Sequence, residues 1–94
     1  MKNLFSTIGE DSVPVMKALK LTLLQVRQRR GTRIDMMKRN MLFSYLKKQC
    51  GYNYSEIAFF THKEHSTIRT NILTHTKLWE ENKDELLHKM KENI

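Results

Sequence analysis

Between Thr61 and Ile72 the chain reads THKEHSTIRTNI. Lys63, Glu64, His65, Ser66 and Thr67 stand in a row just ahead of Ile68, the first apolar residue of a helical repeat. Polar side chains at a helix start satisfy backbone N–H groups that have no intrahelical acceptor. One or two are enough for that. Five in a row leave a surplus whose chemistry suits base pairs. A carboxylate accepts from cytosine N4, hydroxyls bond either way, and a threonine methyl meets the thymine methyl. A helix N-terminus also presents N–H groups to phosphate. Taken singly, Glu64 and Ser66 also fit as first-turn residues that complement the helix dipole, and His65 as a packed polar residue.

Other chemistries fit less well. His62 and His65 form an H-x-x-H pair, but Cys50, His75 and His88 add no metal-ligand spacing, and a metal needs three or four ligands. Ser66 and His65 are neighbours on a helix and do not face each other. No nucleophile with an oriented base follows from that. The expectation is a protein that is not an enzyme and needs no cofactor or metal.

The elements that position these residues are helical. Asp11 or Ser12 can cap a first helix, with Pro14 in its first turn. Met16, Leu19, Leu23 and Val26 recur at helical spacing, Leu21 and Leu24 widen the stripe, and Gly31 ends it. Residues 1–11 read as a flexible arm. A second helix runs from about Arg33 to Cys50, with Ile34, Met37, Met41, Leu42, Tyr45 and Leu46 on its apolar face and Gly51 as its stop. Asn53 to Glu56 has capping-box spacing and opens a short third helix. Ile68, Ile72, His75 and Trp79 define a fourth, starting near Glu64 or Ser66. Around Glu81–Asp84 the pattern weakens, and Leu86, Leu87, Met90 and Ile94 suggest a fifth, capped by Asn82 or Asp84. Tyr52, Tyr54, Phe59 and Phe60 read as core, and Trp79 as the contact between the last two helices. No strand alternation occurs. The predicted class is all-α, a small bundle of about five helices containing a helix-turn-helix at about residues 53–76.

The charge supports an anionic partner. The 94 residues carry a net charge of +7. Lys17, Lys20, Arg27, Arg29, Arg30, Arg33, Lys38, Arg39, Lys47 and Lys48 face one acid, Asp35, between Lys17 and Lys48. Such a segment fits a phosphate backbone, and it also fits a solvated helix surface. No apolar run is long enough to span a bilayer. Residues 1–13 lack a signal-peptide h-region, and the single Cys50 fits a reducing compartment. The expected location is the cytoplasm or nucleoid of a bacterial host.

The stretch YSEIAFFTHKEHSTIRTNI resembles the C-terminal DNA-binding domain, domain IV, of the bacterial replication initiator DnaA. That family shows a pattern like LPEIGxxFGGRDHTTVxHA. Glu56 and Ile57 match its EI, Ala58 takes the place of its Gly, and Lys63 to Ile68 match its RDHTTV. MLFSYLKKQCGYNYSEI is similar to its AMYLxRELTxLSLPEI. The likeness covers about Arg33 to Lys91. This chain has a turn one residue shorter, with Thr61-His62 where the family has a Gly pair. It also has Glu64 for Asp and Ser55 for Pro.

The resemblance implies a Trp-repressor-like helix-turn-helix that binds double-stranded DNA. By position, Glu64, His65, Ser66 and Thr67 would read bases in the major groove. The family's basic loop before the long helix reaches the minor groove, which implies Arg30 and Arg33 here. Lys38, Arg39, Lys47, Lys48, Lys63 and Arg69 are the expected backbone contacts. No G-x-x-x-x-G-K-[ST] P-loop is present, so no nucleotide partner is expected. The expected role is replication or transcription control in a virus or mobile element, such as a phage. In the family a helix in the place of the first one links to the ATPase. Here its apolar face could instead pair two copies as a homodimer. A non-catalytic protein-interaction module, partner of a replication factor or a basic virion component, is the alternative.

Overall fold

Apolar residues at spacings of three and four, with no strand alternation, demand helices packed on helices. The computed structural model of the chain is such a bundle. It describes residues 4–28 and 31–92, with side chains described from Thr7 onward. The helices are α1 (Leu4–Leu19), α2 (Leu23–Arg27), α3 (Arg33–Ser44), α4 (Tyr54–Thr61), α5 (His65–Thr74) and α6 (Thr76–Glu92). A last turn of π geometry, Tyr45–Gln49, extends α3. No strand is present among the described residues. The Cα radius of gyration of 12.3 Å is close to the value of about 12 Å expected of one compact body of this length.

The first helix departs from its sequence reading. Residues 4–11 are not an arm but the first turns of α1, and Pro14 sits in the helix interior; residues 1–3 lie outside the described residues. Ile8 and Val15, one heptad apart, are fully buried. Ser12 between them is buried too, and its hydroxyl donates to the Ile8 carbonyl at 2.7 Å. A proline inside a helix costs about 3 kcal/mol. Burying Ile8 and Val15 returns about 1.5–3 kcal/mol each, so the helix runs through.

Gly31 does not end this helix. It stops at Leu19, where Lys20 takes a left-handed φ of 57°. The Leu21 N–H closes back on the Met16 carbonyl at 2.9 Å, and Leu21 is buried. A new helix, α2, then starts from a capping box between Thr22 and Gln25. A second capping box, Thr32 with Asp35, opens α3.

α3 is the central helix. Every residue from Arg39 to Ser44 is buried, and Leu42, Phe43 and Leu46 pack with Val26, Ile57, Ile68 and Trp79 in one core. Two expected core residues of α3 are outside it: Ile34 is 63% exposed and Met37 42%. Gly51 stops the helix as expected, at φ 84°.

α6 is one helix of 17 residues, with no break at residues 81–84. The polar stretch there is the solvated side of a helix whose Trp79 and Leu86 are buried. Asn82 bonds within it, to the Leu78 carbonyl at 2.8 Å. Ion pairs Lys77–Glu81, Lys83–Glu80 and Lys89–Glu85 bridge adjacent turns. The break falls at His75 instead, where φ is −106° and ψ 25°.

Candidate nucleic-acid interface

α4 begins at the expected Asn53–Glu56 capping box, with bonds of 2.9 and 2.8 Å. It buries Ile57, Ala58, Phe60 and Thr61. The Thr61 hydroxyl donates to the Ile57 carbonyl at 2.7 Å, which lets it sit inside the core. The helix closes on His62, in the left-handed conformation at φ 57° and ψ 40°. His62, Lys63 and Glu64 then lead into α5.

Ile68 and Ile72 are buried, and they fix the rotation of α5. Glu64, His65, Ser66 and Thr67 are all exposed as a consequence. The outward face continues through Arg69, Thr70, Leu73 and Thr74. Glu64 occupies the N-cap, yet its side chain makes no capping bond, and the first turn holds no acid. A shallow depression lined by His62, Lys63, Glu64 and Thr67 opens at the turn.

Two further residues reach this end of α5. The His65 ring meets the Tyr54 ring edge-on, with centroids 5.7 Å apart. The Lys47 ammonium lies 4.7 Å from the centroid of the same Tyr54 ring. Residues from the end of α3, from α4 and from α5 are thereby brought together.

The expected backbone contacts divide. Arg33, Lys48 and Arg69 are exposed, and Lys38 and Lys47 are half-buried. Lys38 lines a different surface, an apolar groove between α1, α3 and α6. Arg30 lies outside the described residues. Arg39 cannot be a phosphate contact. It is 6% exposed, and its Nη1 donates to the Gln25 carbonyl at 3.0 Å. Lys63 is half-buried, and its Nζ donates to the Gln28 carbonyl at 2.9 Å. Arg27 donates through Nε and Nη2 to the Phe60 carbonyl and lies 5.8 Å from the Phe60 ring centroid.

Behind the site, Tyr52 donates to Asp11 at 2.5 Å. Burial, and then this bond, pushes the Tyr52 phenol upward. Burial also pushes the Cys50 thiol up and Tyr45, beside Cys50, to about 12. The thiol is thus held in its un-nucleophilic form. Among the described residues no three His, Cys, Asp or Glu side chains converge on a metal position.

Sequence reasoning missed Tyr54, His62, Thr70 and Leu73 as surface neighbours of the site. For Thr70 and Leu73 the signal was present. Once Ile68 and Ile72 face inward, positions 66, 69, 70 and 73 face outward.

The fold defines a small all-α bundle whose polar, uncapped helix start projects from a short helix and a three-residue turn. No described helix is long and apolar enough to cross a membrane. Comparison with protein-family models, curated proteins and solved structures found no match for this chain.

Proposed function

We propose that the chain binds double-stranded DNA, with α4, the turn and α5 acting as a helix-turn-helix and the start of α5 entering the major groove. One observation carries this reading. Burial of Ile68 and Ile72 turns Glu64, His65, Ser66 and Thr67 together toward solvent, at a helix start without a side-chain cap. Base readers sit at that position in such motifs. The likeness of Lys63–Ile68 to the DnaA domain IV motif supports the same assignment. Arg33, Lys48 and Arg69, with Lys47 beside Tyr54, supply the cationic flank. The role is non-catalytic, in replication or transcription control of a virus or mobile element within a bacterial cytoplasm or nucleoid.

Selection of bound fragments from a random duplex pool tests the reading. Enrichment of a common sequence is expected. His65→Ala should then weaken the selected site by about 1–3 kcal/mol and random duplex by little. Equal losses on both would refute base reading.

A second reading, a protein-interaction module, rests on another face. Exposed Ile34 and Met37 border a groove floored by Leu19, Met41, Leu78 and Leu86. A second copy is the occupant that fits. Two-fold pairing would set Lys38 of the α3 wall against Glu85 of the α6 wall, where Glu85 pairs with Lys89. The homodimer surface is then this groove rather than the whole stripe from Met16 to Val26, of which Leu21 and Val26 lie in the core. Light scattering that shows a monomer, unaltered by Ile34→Lys, dismisses it.

A further inference from the structure

The last four carbonyls of any helix lack intrahelical donors. At the end of α4, the Ala58 carbonyl is taken by the His62 and Lys63 amides. The Phe60 carbonyl is taken by a side chain from far away in sequence. Both Arg27 Nε (3.2 Å) and Arg27 Nη2 (3.1 Å) converge on it. The reverse arrangement holds at the end of α2. There the carbonyl of Gln28, the C-cap residue, accepts from Lys63 Nζ at 2.9 Å. Each segment thus supplies a cation to the other's free carbonyl. Cations at helix C-termini are favourable on electrostatic grounds as well. Arg39 anchors α2 in turn, through its bond to the Gln25 carbonyl. Three cations therefore tie α3 to α2, and α2 to the turn ahead of α5.

We infer that Arg27 and Lys63 form a reciprocal clasp that sets the turn at residues 62–64, and that Lys63 is a positioning residue for α5 rather than a phosphate ligand. The positioning role rests on the DNA-binding reading above; the clasp itself does not. A phosphate ligand would have its ammonium free to follow the duplex backbone. In Lys63 the ammonium is held against the protein's own main chain. What the clasp supplies is orientation: Glu64 to Thr67 follow directly from the residues it fixes.

The experiment has two arms. Hydrogen exchange of the free protein is compared for wild type, Lys63→Met and Lys63→Arg. Lys63→Met keeps the apolar stem and removes the donor. Loss of a charge-assisted bond should speed exchange at residues 60–66 and 24–28 about 5-fold or more. Lys63→Arg, which keeps a donor, should restore protection. Arg27→Lys keeps the charge but loses the fork, and should open the same residues. Thermal melting confirms that each variant is folded.

In the second arm, duplex affinity is measured across salt concentrations. A positioning residue predicts about 10-fold weaker binding to the selected site, little change on random duplex, and a log–log salt slope within about 0.3 of wild type. A phosphate contact predicts equal losses on both duplexes and a slope reduced by about 0.9. Unchanged exchange in Lys63→Met overturns the clasp whatever the DNA result. A slope reduced by about 0.9 with equal losses overturns the positioning role. A wild type that ignores duplex at low salt removes the proposed function, and the exchange arm still decides the clasp.

Discussion

His62 closes α4 in the left-handed region, at φ 57° and ψ 40°. An L-residue there places its Cβ against the following carbonyl, at a cost of about 1–2 kcal/mol. His62→Gly removes that cost but adds chain entropy to the unfolded state, worth about 0.4–1 kcal/mol in the opposite direction. The His62 side chain is exposed, so little packing is lost. The net expectation is a gain of about 0.5–1 kcal/mol, with the larger backbone term winning. For a domain of this size that raises Tm by about 4 °C. Lys20→Gly, at the same φ of 57°, should behave alike. Gly51→Ala should do the reverse. Its φ is 84°, and an added Cβ would meet nothing within 4 Å, so the loss of about 1 kcal/mol is purely conformational. Urea and thermal unfolding of the three variants measure all of this. A destabilised His62→Gly, or a neutral Gly51→Ala, would refute the backbone argument. In the first case the imidazole would have to be making a contact that holds the turn.

Two further outcomes follow from the core. Ile68 is fully buried beneath the presented face of α5, so Ile68→Val should cost about 0.5–1.5 kcal/mol; a neutral result in urea unfolding would mean that α5 is not anchored there. Alkaline stability should also fall. Burial, aided by neighbouring Cys50 for Tyr45 and by Asp11 for Tyr52, raises the pKa of Tyr45 to about 12, raises that of Tyr52 from 10.0, and raises Cys50 from 9.0. Each group is held neutral in the fold and ionises more readily when unfolded. Their contribution is complete below about pH 9 and is lost as pH climbs toward 12. Tyr52→Phe should flatten the decline in unfolding free energy over that window, and an unchanged slope would show that Tyr52 does not contribute.

What was legible in the sequence was local. The Asn53–Glu56 box, the Gly51 stop and the Ile68–Ile72 register depend on neighbours within one or two turns, and all three are present. What was not legible depends on distant partners. Nothing near Pro14 says that Ile8 has a core to enter, yet that burial carries α1 through the proline. Nothing near residues 81–84 says that Trp79 and Leu86 share a buried side, so a solvated stretch reads as a break. In both cases tertiary packing overrode a local signal. The departures of Ile34 and Met37 are of the same kind. Their apolar spacing is real, but the buried stretch of α3 starts only at Arg39, and Ile34 and Met37 lie ahead of it on the rim of the open groove.

The charge excess shows the same limit where it bears on function. Counting cations between residues 17 and 48 treats each as available to an anion. Arg27 and Arg39 are instead bonded to main-chain carbonyls, as is Lys63 beyond that stretch, and Lys47 rests on the Tyr54 ring. A guanidinium committed to a partly buried carbonyl cannot turn to a phosphate without leaving that acceptor unpaired, which costs up to about 1–3 kcal/mol, the value for a fully buried group. Contact with about six phosphates would give a log–log salt slope near −5. Reaching it requires cations beyond the flank of Arg33, Lys47, Lys48 and Arg69, such as the exposed Lys17 and Lys20. With the four flank residues alone the slope would be about −3.6. The measured slope therefore reports which cations the fold has left free, a quantity that composition overstates.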